Sequence, residues 1–361
     1  MSATAILFFV LGLALVIGGA EALVRGASRL AAALGVPALI IGLTVVAFGT
    51  SSPEVVVSLQ AATTGRGDIA IGNVIGSNIF NVLFILGLSA LVAPLRVSEQ
   101  LVRLDVPVMI GVSSLVMLLA MNGRLGSLEG VLLIAILVTY IALLIWLSRR
   151  RPELVAIPAE IVAPAGRSHW AMNGLLMVAG LAGLVLGSRW FVHGAVEFSR
   201  MLGLSELVIG LTVVAGGTSL PEVATSVAAS LKGERDIAVG NVVGSNIFNA
   251  LLVLGSSAMV GDGGIPVAPA ALSFDLPVMV ATSIACMPVF FAGMRITRLE
   301  GAIFLGYYLA YIAFLILDAT DHAAKPVFTG IMLMFVVPIT VLTIAVILLK
   351  ARNQPEPERR S

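Results

Sequence analysis

Residues 42–54 read GLTVVAFGTSSPE, and residues 210–222 repeat them as GLTVVAGGTSLPE. A second pair follows at the same distance, GNVIGSNIFN at 72–81 and GNVVGSNIFN at 240–249. All four blocks share one shift of 168 residues, so the segments between them match in length as well as in wording. The chain carries one unit twice. Each copy sets a glutamate (Glu54, Glu222) and an asparagine (Asn81, Asn249) inside strongly apolar sequence. Polar and ionisable groups are costly in lipid, and their presence there points to function.

The surrounding composition sets the class. Of 361 residues, 59% are hydrophobic and only 11% charged, with a mean hydropathy of +1.07; soluble globular chains carry about 25% charged residues. A bilayer crossing takes about 20 mostly apolar residues. That rule predicts spans near 5–24, 37–62, 69–92, 104–120, 127–147, 171–191, 205–231, 237–260, 273–291, 300–317 and 326–349. The net charge of +1 gives no basis for a nucleic-acid partner, and Cys286, as the lone cysteine, excludes an intramolecular disulfide or a thiolate metal site. The opening MSATAILFF lacks the basic segment of a secretory signal, so the first span is expected to stay. With the N-terminus outside, sixteen of the 21 Lys and Arg fall on the cytoplasmic side. That bias predicts a multi-pass protein of the cell (inner) membrane with a cytoplasmic C-terminus.

Span two carries the first motif and span seven its repeat, so an odd number of crossings separates the copies and turns them in opposite directions. Fainter echoes extend the match: LDVPVM at 104–109 against FDLPVM at 274–279, and RLGSLEG at 124–130 against RITRLEG at 295–301. The expected fold is an all-α polytopic membrane protein of two inverted five-helix repeats, ten transmembrane helices in all, plus one extra C-terminal transmembrane helix. The first repeat takes residues 1–147 and a cytoplasmic linker takes 148–170. The second repeat takes 171–318, and the extra helix with its polar tail takes 319–361.

Inverted repeats suit secondary transporters, whose sites lie near the midplane and are formed by interrupted helices. Proline removes a backbone donor from a helix interior, so Pro53 and Pro221 are expected to break spans two and seven and free the carbonyls of Gly49 and Gly217. Beside each break stand oxygen-bearing side chains: Thr50, Ser51 and Glu54, then Thr218, Ser219 and Glu222. Spacing of four residues puts Thr50 one turn from Glu54, and sets Ser77 with Asn81 and Ser245 with Asn249 on one helix face. Oxygens alone suit hard cations such as Ca²⁺, whereas zinc and copper prefer nitrogen or sulfur. Other readings of the same residues are structural. Ser51 with Glu54, and Ser219 with Glu222, match a capping box. The asparagines can act as interhelical hydrogen-bond glue, and Gly72 with Gly76, like Gly240 with Gly244, as close-packing pairs. Asp105 and Asp275 sit near span ends, where charge is cheap.

GTSSPE and GTSLPE, each followed by GN-x-x-GSN, resemble the two α-repeats of the cation/Ca²⁺ exchanger superfamily, most closely its prokaryotic sodium/calcium antiporter branch. The resemblance implies a secondary antiporter that exchanges Ca²⁺ for Na⁺, or for H⁺, by alternating access, with no cofactor and no enzymatic activity. It implies central carboxylates at Glu54 and Glu222 and backbone or hydroxyl oxygens at Thr50 and Thr218. Ser51 and Ser219 stand beside them, with the carbonyls of Ala47 and Ala215 as further candidates, and Ser77, Asn81, Ser245 and Asn249 complete the shell. One chain supplies both halves, so a monomer suffices for the site. Sodium-coupled members often carry an aspartate at one of the two places that read Asn81 and Asn249. With asparagine at both, the site holds two formal charges, which balance one Ca²⁺, two Na⁺ or two protons. Three Na⁺ would leave an excess charge that a low-dielectric site resists, and two close carboxylates titrate as a pair, so proton coupling competes with sodium coupling. A cation channel and an intramembrane hydrolase are the alternatives from other classes. The hydrolase lacks a histidine or lysine base within the motif spans.

Overall fold

A computed structural model of the chain describes residues 3–34, 37–150, 167–201, 215–291, 293–320, 322–338 and 341. Helices α1 (Ala3–Leu34), α2 (Ala38–Thr50) and α3 (Ser52–Thr63) lead to α4 (Gly67–Val92), α5 (Leu101–Asn122) and α6 (Ser127–Arg150). After residues 151–166 come α7 (Arg167–Met201), α8 (Ala215–Thr218), α9 (Leu220–Leu231), α10 (Arg235–Val260), α11 (Ala271–Phe291), α12 (Arg298–Ala319) and the short α13 (Lys325–Ile331). Eight helices among the described residues are long and apolar enough to cross a membrane, and the pair α2–α3 makes a ninth if counted as one broken span. The chain is an all-α polytopic membrane protein. Most of the expected linker, residues 205–214 of the span expected at 205–231 and the end of that expected at 326–349 lie outside the described residues.

Two spans run longer than the apolar runs suggest. Helix α1 continues past residue 24 with charges paired along it: Arg25 bonds Glu21 one turn back, and Lys232 at the end of α9 brings its Nζ to 3.4 Å from the same carboxylate. Helix α7 extends to Met201, beyond the expected 191. These two long helices lie against each other along a seam of glycines. A Cβ at Gly19 would stand 2.7 Å from the carbonyl oxygen of Gly180, and one at Gly12 would stand 2.4 Å from the backbone nitrogen of Phe191. Small residues allow such approach where lipid gives helices no hydrophobic reason to associate.

The motif helices α10 and α4 form the centre: in their most apolar 18-residue stretches 94% and 78% of the residues are buried, against 6% in α12. Gly240 and Gly244 do act as close-packing residues, since Cβ atoms there would stand 3.1 Å and 2.7 Å from the carbonyl oxygens of Leu39 and Leu43. Residues 207 and 211, which the shift of 168 matches to Leu39 and Leu43, lie outside the described residues. Both central helices widen into a π-helical turn at the motif asparagine, Asn81–Leu86 and Asn249–Val253; such turns cluster at functional sites.

Two features depart from expectation. Four short strands pair antiparallel, β1 (Leu95–Arg96) with β4 (Arg295–Ile296) and β2 (Arg124–Leu125) with β3 (Ile265–Pro266), so the connections are stapled rather than purely helical. Asp105, near its span end, is fully buried and not at the cheap periphery. It accepts hydrogen bonds from the Tyr140 hydroxyl at 2.9 Å and from Gln100 at 3.3 Å, as a buried carboxylate must. Asp275 accepts from Tyr311 in the matching position, at 3.1 Å.

Candidate cation site

The break that proline predicts is present. Helices α2 and α3 meet at 46°, with Ser51 between them at φ −78°, ψ 6°. Pro53 falls in the first turn of α3, where a missing N–H costs nothing because no intrahelical acceptor exists there. The same residue thus ends one half-helix and starts the next. Ser219 repeats the break at φ −89°, ψ 11°, between α8 and α9, with Pro221 following. The Gly49 carbonyl does not stay free: a backbone N–H at the cap takes it, and another takes that of Ala47. The break also separates Thr50 from Glu54, so they are not successive turns of one helix.

Neither serine caps its own half-helix with its side chain. In place of the capping box that S-x-x-E also allows, there is an exchange between the two copies. Ser51 donates to Glu222 Oε1 at 3.1 Å, and Ser219 donates to Glu54 Oε1 at 2.9 Å. Both glutamates are fully buried and sit in the first turn of a half-helix, where the helix dipole favours an anion.

The remaining expected residues group around this exchange unevenly. The buried Thr50 hydroxyl donates to Asn241 Oδ1 at 3.1 Å and lies 3.4 Å from the Ala47 carbonyl, which also accepts the Ser51 N–H. Thr218 ends α8 half-buried, and Ala215 starts the same short helix. The hydroxyls of Ser77 and Ser219 stand 3.3 Å apart. Asn81 donates from Nδ2 to Asn246 Oδ1 at 3.0 Å. Ser245 and Asn249 are fully buried, and their side chains have no protein partner.

Four asparagines outside the expected set hold this arrangement. Asn73 donates to Ser58 Oγ at 2.9 Å and to the Glu54 carbonyl at 3.5 Å, and Asn241 donates to Ser226 Oγ at 3.0 Å and to the Glu222 carbonyl at 3.5 Å. Each therefore ties a glutamate-bearing half-helix to its neighbouring central helix. Asn78 and Asn246 exchange side-chain donors for each other's backbone carbonyls, at 3.2 Å and 3.3 Å. The signal for all four was present, since every one is a polar letter kept in both copies of the second block.

Five oxygens of the expected set are buried without a protein partner: Glu54 Oε2, Glu222 Oε2, Asn81 Oδ1, Asn249 Oδ1 and Ser245 Oγ. Native proteins rarely leave such groups unsatisfied. Carboxylate, amide and hydroxyl oxygens are the donor types that hard cations take. Among the described residues no cluster of three or more His, Cys, Asp or Glu side chains offers a different metal site.

Comparison with known proteins identifies the family. The profile of the family described as sodium/calcium exchanger protein matches residues 4–146 and 172–317. The putative antiporter CaxA of Alkalimonas amylolytica is 40% identical over 314 residues, spanning 85% of this chain and 97% of its own. The inner membrane protein YrbG of Escherichia coli is 41% identical over 286 residues, spanning 78% and 86%. Among solved structures, the sodium-calcium exchanger NCX_Mj superposes with a TM-score of 0.75 at 30% identity, covering 87% of this chain and 99% of that one. With two thirds and more of the chain matched, and both copies of the buried motif inside the matched segments, this chain belongs to the sodium/calcium exchanger family.

Proposed function

We propose that the protein is a secondary antiporter that moves Ca²⁺ across the cell membrane against Na⁺ or H⁺, binding the ions between Glu54 and Glu222. The observation that carries this reading is the set of five buried, unpartnered oxygens, two of them from the carboxylates of Glu54 and Glu222. In it, Ca²⁺ is held by Glu54 Oε2, Glu222 Oε2, Asn81 Oδ1, Asn249 Oδ1 and Ser245 Oγ, with Thr50, Thr218, Ser51, Ser219, Ser77 and the carbonyls of Ala47 and Ala215 at the margin. Release follows when Na⁺ or H⁺ takes over the charge of the glutamates.

Alternating access rests on two inverted five-helix repeats at residues 1–147 and 171–318, joined by a cytoplasmic linker and followed by an extra helix. The reciprocal bonds support that arrangement. Ser51 to Glu222 and Ser219 to Glu54 mirror each other, and Asn78 meets its own copy Asn246. A two-fold axis through the site generates such pairs, with residues meeting their own copies on the axis. Residence in the inner membrane, with the N-terminus outside and the C-terminus cytoplasmic, follows the Lys and Arg bias.

Two formal charges favour exchange of one Ca²⁺ for two monovalent cations. The test is Ca²⁺ uptake into liposomes holding the purified protein, run once with an imposed Na⁺ gradient and once with a pH gradient alone. Uptake driven by either gradient supports the antiporter and identifies the counter-ion. Ca²⁺ flux that runs down its own gradient with no opposing ion would mean a channel.

A further inference from the structure

The two central asparagines that meet on the axis have no place among the ion-binding side chains, although both copies of the motif keep them. Their bonds define a direction. Asn246 Nδ2 is committed to the Asn78 carbonyl at 3.3 Å and to the Met109 sulfur at 3.6 Å. Its Oδ1 is therefore the end left for Asn81, and it accepts from Asn81 Nδ2 at 3.0 Å. An amide whose nitrogen is engaged has its oxygen on the other side, and Asn81 Oδ1 is buried without a protein partner.

The other copy lacks the matching bond. Asn78 Nδ2 is held in the same way, by the Asn246 carbonyl at 3.2 Å and the Met279 sulfur at 3.7 Å. Asn78 Oδ1, however, has no partner, and neither does Asn249 at either end of its amide. Both central asparagines lock the two helices together, and only Asn246 also orients a side chain of the site.

We propose that Asn246 is a positioning residue, which turns the Asn81 amide so that its oxygen faces the ion between Glu54 and Glu222. This inference rests on the exchanger reading above. It sets Asn246 apart from Asn78, which makes the same backbone lock and orients nothing. Loss of the Asn246 acceptor frees the Asn81 amide to rotate and weakens ion binding, whereas loss of the lock alone weakens the fold.

The experiment compares Asn246→Ala, Asn78→Ala and Asn81→Ala, together with the double variants of Asn81, as purified full-length proteins. Binding of Ca²⁺ and thermal unfolding are measured in detergent. One hydrogen bond in a buried site corresponds to about 5- to 10-fold in affinity. The expected result is a loss of that size for Asn246→Ala, a smaller loss for Asn78→Ala, and similar drops in unfolding temperature for both. In the Asn81→Ala background the affinity loss from Asn246→Ala should vanish, while its effect on unfolding should persist. If Asn246→Ala does not fold, Asn246→Gln keeps both amide functions and displaces the acceptor by one methylene, so it should shift affinity the same way. Equal affinity losses for Asn78→Ala and Asn246→Ala, or a loss undiminished in the Asn81→Ala background, would overturn the assignment. Failure of the unaltered protein to bind Ca²⁺ would overturn the exchanger reading itself.

Discussion

The hydroxyl of Ser219 lies 2.9 Å from Oε1 of Glu54, and these residues come from different copies of the repeated unit. Together with the mirror bond from Ser51 to Glu222 at 3.1 Å, the contact makes each carboxylate depend on the other copy for its orientation. The second oxygen of each glutamate is thereby left without a protein partner.

Removing one of these donors should therefore act on ion affinity rather than on helix capping. Hydrogen bonds to a charged group contribute about 1.5–3 kcal/mol, or about 10-fold and more in binding. Ser219→Ala is expected to raise the half-saturating Ca²⁺ concentration by about that factor in liposome uptake. A capping role would instead lower the unfolding temperature and leave the ion dependence untouched.

The carboxylates should be indispensable in a way their neighbours are not. Glu54→Gln and Glu222→Gln keep shape and hydrogen-bonding capacity but remove one of the two charges that balance Ca²⁺ in the proposed site. Gradient-driven Ca²⁺ uptake should fall by about 100-fold or more in either variant, because an uncompensated charge in a buried site costs several kcal/mol. Normal transport by Glu54→Gln would sink the assignment.

The count of charges sets the electrical character of exchange. The proposed exchange of one Ca²⁺ for two monovalent cations, with asparagine at both 81 and 249, moves no net charge. Asn249→Asp adds a third carboxylate in a fully buried place whose amide has no partner. This variant should become sensitive to membrane potential, read as Ca²⁺ uptake that responds to a valinomycin-imposed K⁺ diffusion potential, while the parent stays unresponsive.

The glycine seam offers a test of packing independent of transport. Gly19→Ala places a Cβ 2.7 Å from the Gly180 carbonyl oxygen, whereas next to it Gly18 is exposed with nothing within 4 Å. Thermal unfolding should show Gly19→Ala destabilised by about 1–3 kcal/mol from overpacking. Gly18→Ala should be neutral or stabilised by up to about 1 kcal/mol from helix propensity.

Much of the site was legible because its signals are local. Pro53 and Pro221 announce the breaks, since a missing N–H and a ring clash act on the residues immediately before them. The apolar runs announce the spans, although α1 outlasts its run and carries Glu21 paired with Arg25 and Lys232. Asn73, Asn78, Asn241 and Asn246 escaped, because their partners lie on other helices or 168 residues away, and spacing along one helix says nothing about them.

The amino-acid sequence by itself determined the membrane class, the duplicated unit, the broken spans and the identity of the polar residues inside them, because hydropathy, proline chemistry and repetition act along the chain. Tertiary structure alone decided which serine serves which glutamate. Ser51 and Glu54 are spaced as a capping box, yet the turn at Ser51 sends its hydroxyl to Glu222. The choice belongs to two half-helices meeting across the protein, and hydrogen bonds between them depend on how they pack and not on the letters that separate them.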